Sequence, residues 1–220
     1  MDLLILFLII ILPLIAQGKV TSNYNKYLQI ENSMHLKGCD AAKRILEMNG
    51  ITNVKIQITN GRLSDHYNPR TKIINLSQEV YNGTSIASVA IAAHEVGHAI
   101  QDNKDYAFLR FRNSLVPVVN FTSRFATIFI ILGFASELTG LFYIGILILL
   151  LGLFFQLVTL PVEFNASNRA KEQLKACGLV ANKDIKGTNK MLKAAAYTYV
   201  ASFLAMALQI LRLILIKRRD

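Results

Sequence analysis

Two histidines four residues apart, with a glutamate directly after the first, interrupt an otherwise apolar run, AIAAHEVGHAIQD, over residues 90–102. On an α-helix, residues i and i+4 share one face. His94 and His98 can therefore turn a ring nitrogen each toward one cation. Zinc binds such nitrogens at about 2.0–2.1 Å and, in catalytic sites, keeps one position open. Glu95 projects about 100° around the helix from His94. It can reach the open position without being a ligand, take a proton from a water the metal has acidified, and pass it to a leaving amine. Ordinary histidines on a core helix are the alternative. In a chain with four histidines, the rarity of H-E-x-x-H weighs against it. Ala92, Ala93, Gly97 and Ala99 are small, which permits close packing around an ion. Gly97 costs the helix about 1 kcal/mol relative to Ala, and its size is a reason to keep it.

A catalytic zinc needs a third protein ligand. His35, His66, Asp102, Asp105, Glu163 and Glu172 are the candidates. Glu163 lies in LPVEFNASNRAKEQLKA, whose Phe164, Ala166, Ala170 and Leu174 fit a helix. A carboxylate where a helix leaves a membrane is costly unless paired. An ion would pair it, which favours Glu163; a surface glutamate, or one bridged to Arg169, is the alternative. His66, after Asp65 in a turn, is the second choice and fits a surface or substrate contact as well. Tyr67, His66 and Arg169 are the candidates for stabilising an oxyanion.

The elements that must hold these residues divide between water and lipid. The 220-residue chain is 53% hydrophobic and carries a formal charge of +10. Apolar and basic together point to a membrane protein with positive cytoplasmic segments. The lysines are scattered, with no basic helix or aromatic-interleaved patch, so nucleic acid is not an expected partner. Cys39 and Cys177 belong to no C-x-x-C pair, which excludes a disulfide-dense scaffold. Four apolar stretches are visible. Residues 3–16 are short for a span, which needs about 20 residues. They lack the basic start and small-residue cleavage site of a signal peptide, so an uncleaved anchor over residues 1–16 is expected. Residues 116–135 and 141–160 flank SELTG and form an antiparallel transmembrane hairpin over 116–160. Arg124 within it reads as a snorkelling side chain near the interface. The fourth stretch, 194–216, places Ser202, Gln209 and Arg212 on one face and either crosses or lies on the membrane, as part of a C-terminal segment 194–220.

Residues 17–32 are polar and read as a linker or extended arm. From Ser33, the pattern Met34, Ala41, Ala42, Ile45, Leu46 predicts a helix ended by Asn49-Gly50. VKIQIT (54–59) alternates like a strand, and Lys72–Leu76 offers a second. Thr84 or Ser85 can cap a helix from about Ile86 to Asp102. Residues 17–115 and 161–193 are thus the two catalytic segments. Arg169, Lys171, Lys175, Lys183, Lys186, Lys190 and Lys193 crowd the second, and the hairpin link has Glu137 and no Lys or Arg. Positive segments stay inside, so both catalytic segments are expected to face the cytoplasm. Lys217, Arg218 and Arg219 oppose this if the last stretch crosses fully.

AAHEVGHAIQ, LVPVVNF and FQLVTLPVEFNASNRA resemble the neutral zinc metallopeptidases of bacterial membranes, over nearly the whole chain. H-E-x-x-H, a membrane hairpin and then E-F-x-A is more distantly similar to heat-shock membrane proteases and prenyl-protein proteases. The resemblance implies a mainly α integral membrane protein with a zincin-like (gluzincin) core of helices plus a short β-sheet, interrupted by the transmembrane hairpin. It implies one zinc ion held by His94, His98 and Glu163, Glu95 as general base, and a polypeptide substrate. It also implies that Lys72–Leu76 is an edge strand that pairs with extended substrate. The chain departs at Ser167, where the distant relatives carry an Asp that supports the site. Glu163 is two residues past Pro161, at the end of an apolar stretch. The metal is therefore expected within about 15 Å of the bilayer surface, acting on membrane-associated substrates. Two other functions fit the same features: an inactive metal-binding membrane scaffold, and a basic membrane-surface adaptor.

Overall fold

A computed structural model describes residues 2–136 and 138–218; Glu137 of the hairpin link and Arg219 of the terminal basic cluster lie outside them. The elements are α1 (Asp2–Leu28), α2 (Gly38–Met48), β1 (Lys55–Thr59), β2 (His66–Asn68), β3 (Ile73–Ser77), α3 (Gln78–Asn82), α4 (Ile86–Asn103), α5 (Ala107–Ala135), α6 (Thr139–Ala176) and α7 (Ile185–Lys217). The protein is a mainly α membrane protein with a small sheet. Helices α1, α5, α6 and α7 are each long and apolar enough to cross a bilayer, with mean hydropathies of 2.5, 1.8, 2.6 and 2.0 over their most apolar windows. The chain divides into two compact units, one within residues 1–16, 107–161 and 198–220, the other within Gln17–Tyr106 and Val162–Tyr197.

The first unit is built from apolar helices. Phe142, Ile146, Ile210 and Leu213 form its buried cluster, with Ile130, Phe134 and Met206 against it. Glycines set the approach of α5 and α6: a Cβ on Gly133 would stand 2.4 Å from the Phe142 nitrogen. Close backbone contact through small residues is how helices associate in lipid, where no hydrophobic force drives them together. Large side chains such as Phe121 and Leu147 stay exposed, as lipid-facing positions require. Asp2 pairs with Arg212 across 3.5 Å, so one polar residue of the α7 stripe finds its partner on α1. Arg124 is exposed.

The second unit holds the HEVGH run. Here the expected polar arm at 17–32 is instead helix as far as Leu28, continuous through Pro13. The reason is a stripe: Val20, Tyr24 and Tyr27 recur at helical spacing and are buried in the core. The Tyr24 hydroxyl also donates to Glu79 at 2.8 Å. The next helix starts at Gly38 rather than Ser33. Asn32 causes the delay, since its Oδ1 accepts from the backbone N–H groups of Met34 and Leu36 and holds 32–36 as a loop. Its C-terminus is as expected, with Asn49 at the cap and Gly50 at φ +66°.

Two elements are additional. Strand β2 pairs antiparallel with β3, and β1 pairs parallel with β3 on the other side, giving the order β1-β3-β2. The strand expected at Lys72–Leu76 is therefore central and has no free edge for a substrate. Its alternating buried residues, Ile74 and Leu76, fit a strand covered on one face. The short α3 follows directly. Helix α4 starts where the cap is expected: Ser85 Oγ accepts from the Ser88 N–H at 3.0 Å. It buries Ala90, Ala92, Ala93, Val96, Ala99 and Ile100 in the main core.

Gly97 has a specific neighbour. A Cβ there would stand 2.5 Å from the Ala166 carbonyl oxygen on α6. That oxygen is backbone and cannot swing aside. Gly97→Ala gains helix propensity of about 1 kcal/mol but forces the two backbones apart. We expect a net destabilisation of about 1–3 kcal/mol, measured by denaturant unfolding of the detergent-solubilised protein; equal or greater stability would refute the close-contact argument.

Candidate metal centre

Helix α4 presents His94 and His98 one turn apart, their rings 4.8 Å between centroids and nearly perpendicular at 81°. Helix α6 brings Glu163 to them. Its Oε2 lies 3.4 Å from His94 Nε2 and 3.6 Å from His98 Nε2. These spacings are long for hydrogen bonds. They match the roughly 3.4 Å between two donors that sit about 2.1 Å from one tetrahedral centre. All three donor atoms lie within 4.8 Å of one another. Glu163 is 2% exposed, and its Oε2 has no hydrogen-bond partner. A buried carboxylate oxygen without a donor is expensive, and a cation at the point facing both imidazoles removes the cost. The donor set of two imidazoles and one carboxylate is one that zinc accepts.

The Nδ1 atoms of both rings are engaged. His94 Nδ1 lies 3.3 Å from Ser167 Oγ. His98 Nδ1 lies 3.0 Å from Oε1 of Gln101, which is fully buried. The Gln101 amide nitrogen donates to the Val162 carbonyl at 2.7 Å and to Asn165 Oδ1 at 3.0 Å. Its oxygen therefore faces His98, and His98 must carry its proton on Nδ1. That leaves Nε2 on the side of Glu163.

Glu95 is buried beside this cluster and is not one of its three donors. Burial pushes its carboxyl up to about 7. The neighbouring His94 opposes the rise, Glu163 and Asp65 add to it, and the Tyr67 backbone N–H favours the ionised form. Such a group exchanges protons near neutrality.

The other sequence candidates lie outside this donor group. His66 lies on β2, exposed, with Nδ1 donating to the Ser64 carbonyl at 2.8 Å and Nε2 facing the Asn75 amide at 3.1 Å. It is outside the donor cluster, as are His35, Asp105 and Glu172. His35 pairs with Glu31. Asp102 accepts from the Tyr67 hydroxyl and from Lys72 Nζ, each at 2.5 Å. Burial, then that bond to Asp102, holds the Tyr67 phenol well above its usual range. Its proton is thus committed to Asp102. Arg169 donates to Asn165 Oδ1 at 2.7 Å, not to Glu163. The sequence reading missed Gln101. Its signal was present: a polar residue three positions after His98, on the same face of an apolar helix.

Residues 2–218 match the family model described as "Putative neutral zinc metallopeptidase". The chain is 43% identical over 201 residues, 91% of its length and 89% of the relative's, to "Putative membrane protease YugP" of Bacillus subtilis (strain 168). No solved structure matches.

Glu163→Gln replaces the carboxylate, with its unpartnered Oε2, by a neutral amide. Zinc content measured by elemental analysis should fall from near stoichiometric to background, with helix content by circular dichroism unchanged. Retention of zinc by that variant would remove Glu163 from the centre.

Proposed function

The chain belongs to the neutral zinc metallopeptidase family of bacterial membranes, and from that premise we propose that it is a zinc endopeptidase. His94, His98 and Glu163 hold one zinc ion, and Glu95 is the general base. The observation that carries this proposal is the unpartnered, buried Glu163 oxygen at 3.4 and 3.6 Å from the two Nε2 atoms. When bound, zinc supplies Lewis-acid chemistry, lowering the pKa of a water and polarising a carbonyl.

The rest of the work falls to the chain's own residues. Glu95 takes a proton from the attacking water and hands it to the leaving amine. Its position next to His94, and a pKa raised to about 7 by burial, support both halves of that transfer. Gln101 and Ser167 occupy the Nδ1 atoms and leave both Nε2 atoms to the metal side. Asp102 ties Tyr67 of β2 and Lys72 to the end of α4. The Tyr67 backbone N–H bonds Glu95, so β2 reaches the base.

The substrate is a polypeptide at or in the membrane. The support is α6, one helix that carries both Glu163 and an apolar window of hydropathy 2.6. The catalytic segments face the cytoplasm, on the support of the lysines at 171–193 and the positive-inside rule.

Purified protein with a labelled single-span substrate provides the test. Glu95→Gln should keep its zinc and lose roughly 10²–10⁴ of turnover, the span of general acid–base contributions. His94→Ala should lose zinc and activity together. An active Glu95→Gln would dismiss the assigned base. Cleavage sites mapped by mass spectrometry should fall beside the span; cleavage of soluble proteins alone would dismiss the substrate class.

A further inference from the structure

Building on that reading of the metal centre, we propose that Gln101 is the positioning residue that joins its two halves. The ligands come from segments separated by the whole apolar hairpin. His94 and His98 lie on α4, and Glu163 lies on α6. Gln101 is the one described side chain that bonds both to a ligand imidazole and to the helical turn carrying the third ligand. Its Oε1 holds His98 Nδ1 at 3.0 Å. Its Nε2 holds the carbonyl of Val162, the residue before Glu163, at 2.7 Å. It is completely buried, so no water competes for these bonds.

An amide could face either way, and the surroundings decide which. Asn165 Oδ1 accepts from Gln101 Nε2 at 3.0 Å and from Arg169 Nε at 2.7 Å. Two donors converging on one oxygen fix the Asn165 carbonyl toward Gln101, and that fixes the Gln101 nitrogen toward Asn165. The Gln101 oxygen is then left for His98. The run Arg169, Asn165, Gln101, His98 thus sets the tautomer of a ligand from a guanidinium, a group that only donates. The residues of EFNASNR alternate in duty accordingly, Glu163 as ligand, Asn165 and Arg169 in this chain, and Ser167 against His94.

The two imidazoles are therefore held unequally. His98 has a buried amide locked from both ends. His94 has a single hydroxyl at 3.3 Å, near the limit for a hydrogen bond. Both supports are neutral. A carboxylate in either place would make the imidazole a stronger donor and bind the metal more tightly. Gln101 orients without adding charge.

The test measures cobalt(II) uptake by the full-length protein in detergent, from its visible absorption and by competition with a chelator. Wild type and Glu163→Gln run alongside. Gln101→Leu should bind cobalt about 10–100-fold more weakly, the usual cost of losing such a support, with a shifted ligand-field spectrum. Gln101→Glu keeps an acceptor for His98 but has no donor for Val162 or Asn165, so it should stay weaker than wild type; full recovery overturns the joining role. Asn165→Ala, which touches no ligand, should weaken cobalt several-fold and change the spectrum in the direction of Gln101→Leu. That variant tests the proposal even if Gln101→Leu fails to fold. Affinities within twofold of wild type and an unchanged spectrum, in Gln101→Leu or, failing that, in Asn165→Ala, overturn the positioning role. A wild type that takes up no cobalt, or a Glu163→Gln that takes it up normally, overturns the metal centre itself and this proposal with it.

Discussion

A carboxylate buried against two imidazoles is the constraint on which the catalytic unit depends. Glu163 is 2% exposed, and removing its charge from water costs several kcal/mol unless an opposite charge meets it. Nothing on its own helix does so; Arg169, two turns' worth of residues along the same element, is spent on Asn165. The compensation has to come from the cluster on α4. The geometry of α4 and α6 can be understood as the set of conditions that let one cation face Glu163, His94 and His98 together.

Those conditions are mostly about size. Val162, Ala166, Ala170 and Leu174 are fully buried along one face of α6, and Gly97 on α4 meets Ala166 with backbone against backbone. A Cβ at Gly97 would stand 2.5 Å from the Ala166 carbonyl oxygen and would widen the gap. Donor distances matched to one ion at about 2.1 Å would not tolerate that. The proposed metal centre would thus give the helix a reason to accept the propensity cost of glycine.

The histidine pair and the helix cap at Ser85 were legible because each rests on local rules: i and i+4 on one face, a hydroxyl before an apolar run. Glu163 was legible only through the cost of burying it. What stayed hidden depended on neighbours far along the chain. Residues 17–28 are polar on average, and only the partners of Val20, Tyr24 and Tyr27 make them helix rather than linker. Strand β2 is three residues long, and it exists because β3 offers it an edge. Placing β3 at the edge failed for the same reason, since a five-residue strand pattern does not say how many neighbours it has. Gln101 reads as an ordinary polar residue until Val162 and Asn165, 61 and 64 positions away, come into contact with it.

With the proposed ion bound, the same long-range dependence would couple metal to folding. His94 and His98 share a helix, so pairing them orders little that is not already ordered. Glu163 comes from beyond a segment that has its own compact unit. A ligand that binds only the joined arrangement stabilises it by mass action, in proportion to how far its concentration exceeds its dissociation constant. On the proposed centre the ion would be a cross-link between α4 and α6, in parallel with the Gln101 hydrogen bonds and the Gly97–Ala166 contact. Cross-links that share the same two helices are not independent: each fixes the spacing that the others require. The energetic worth of any one, measured by its loss, therefore depends on whether the others are in place.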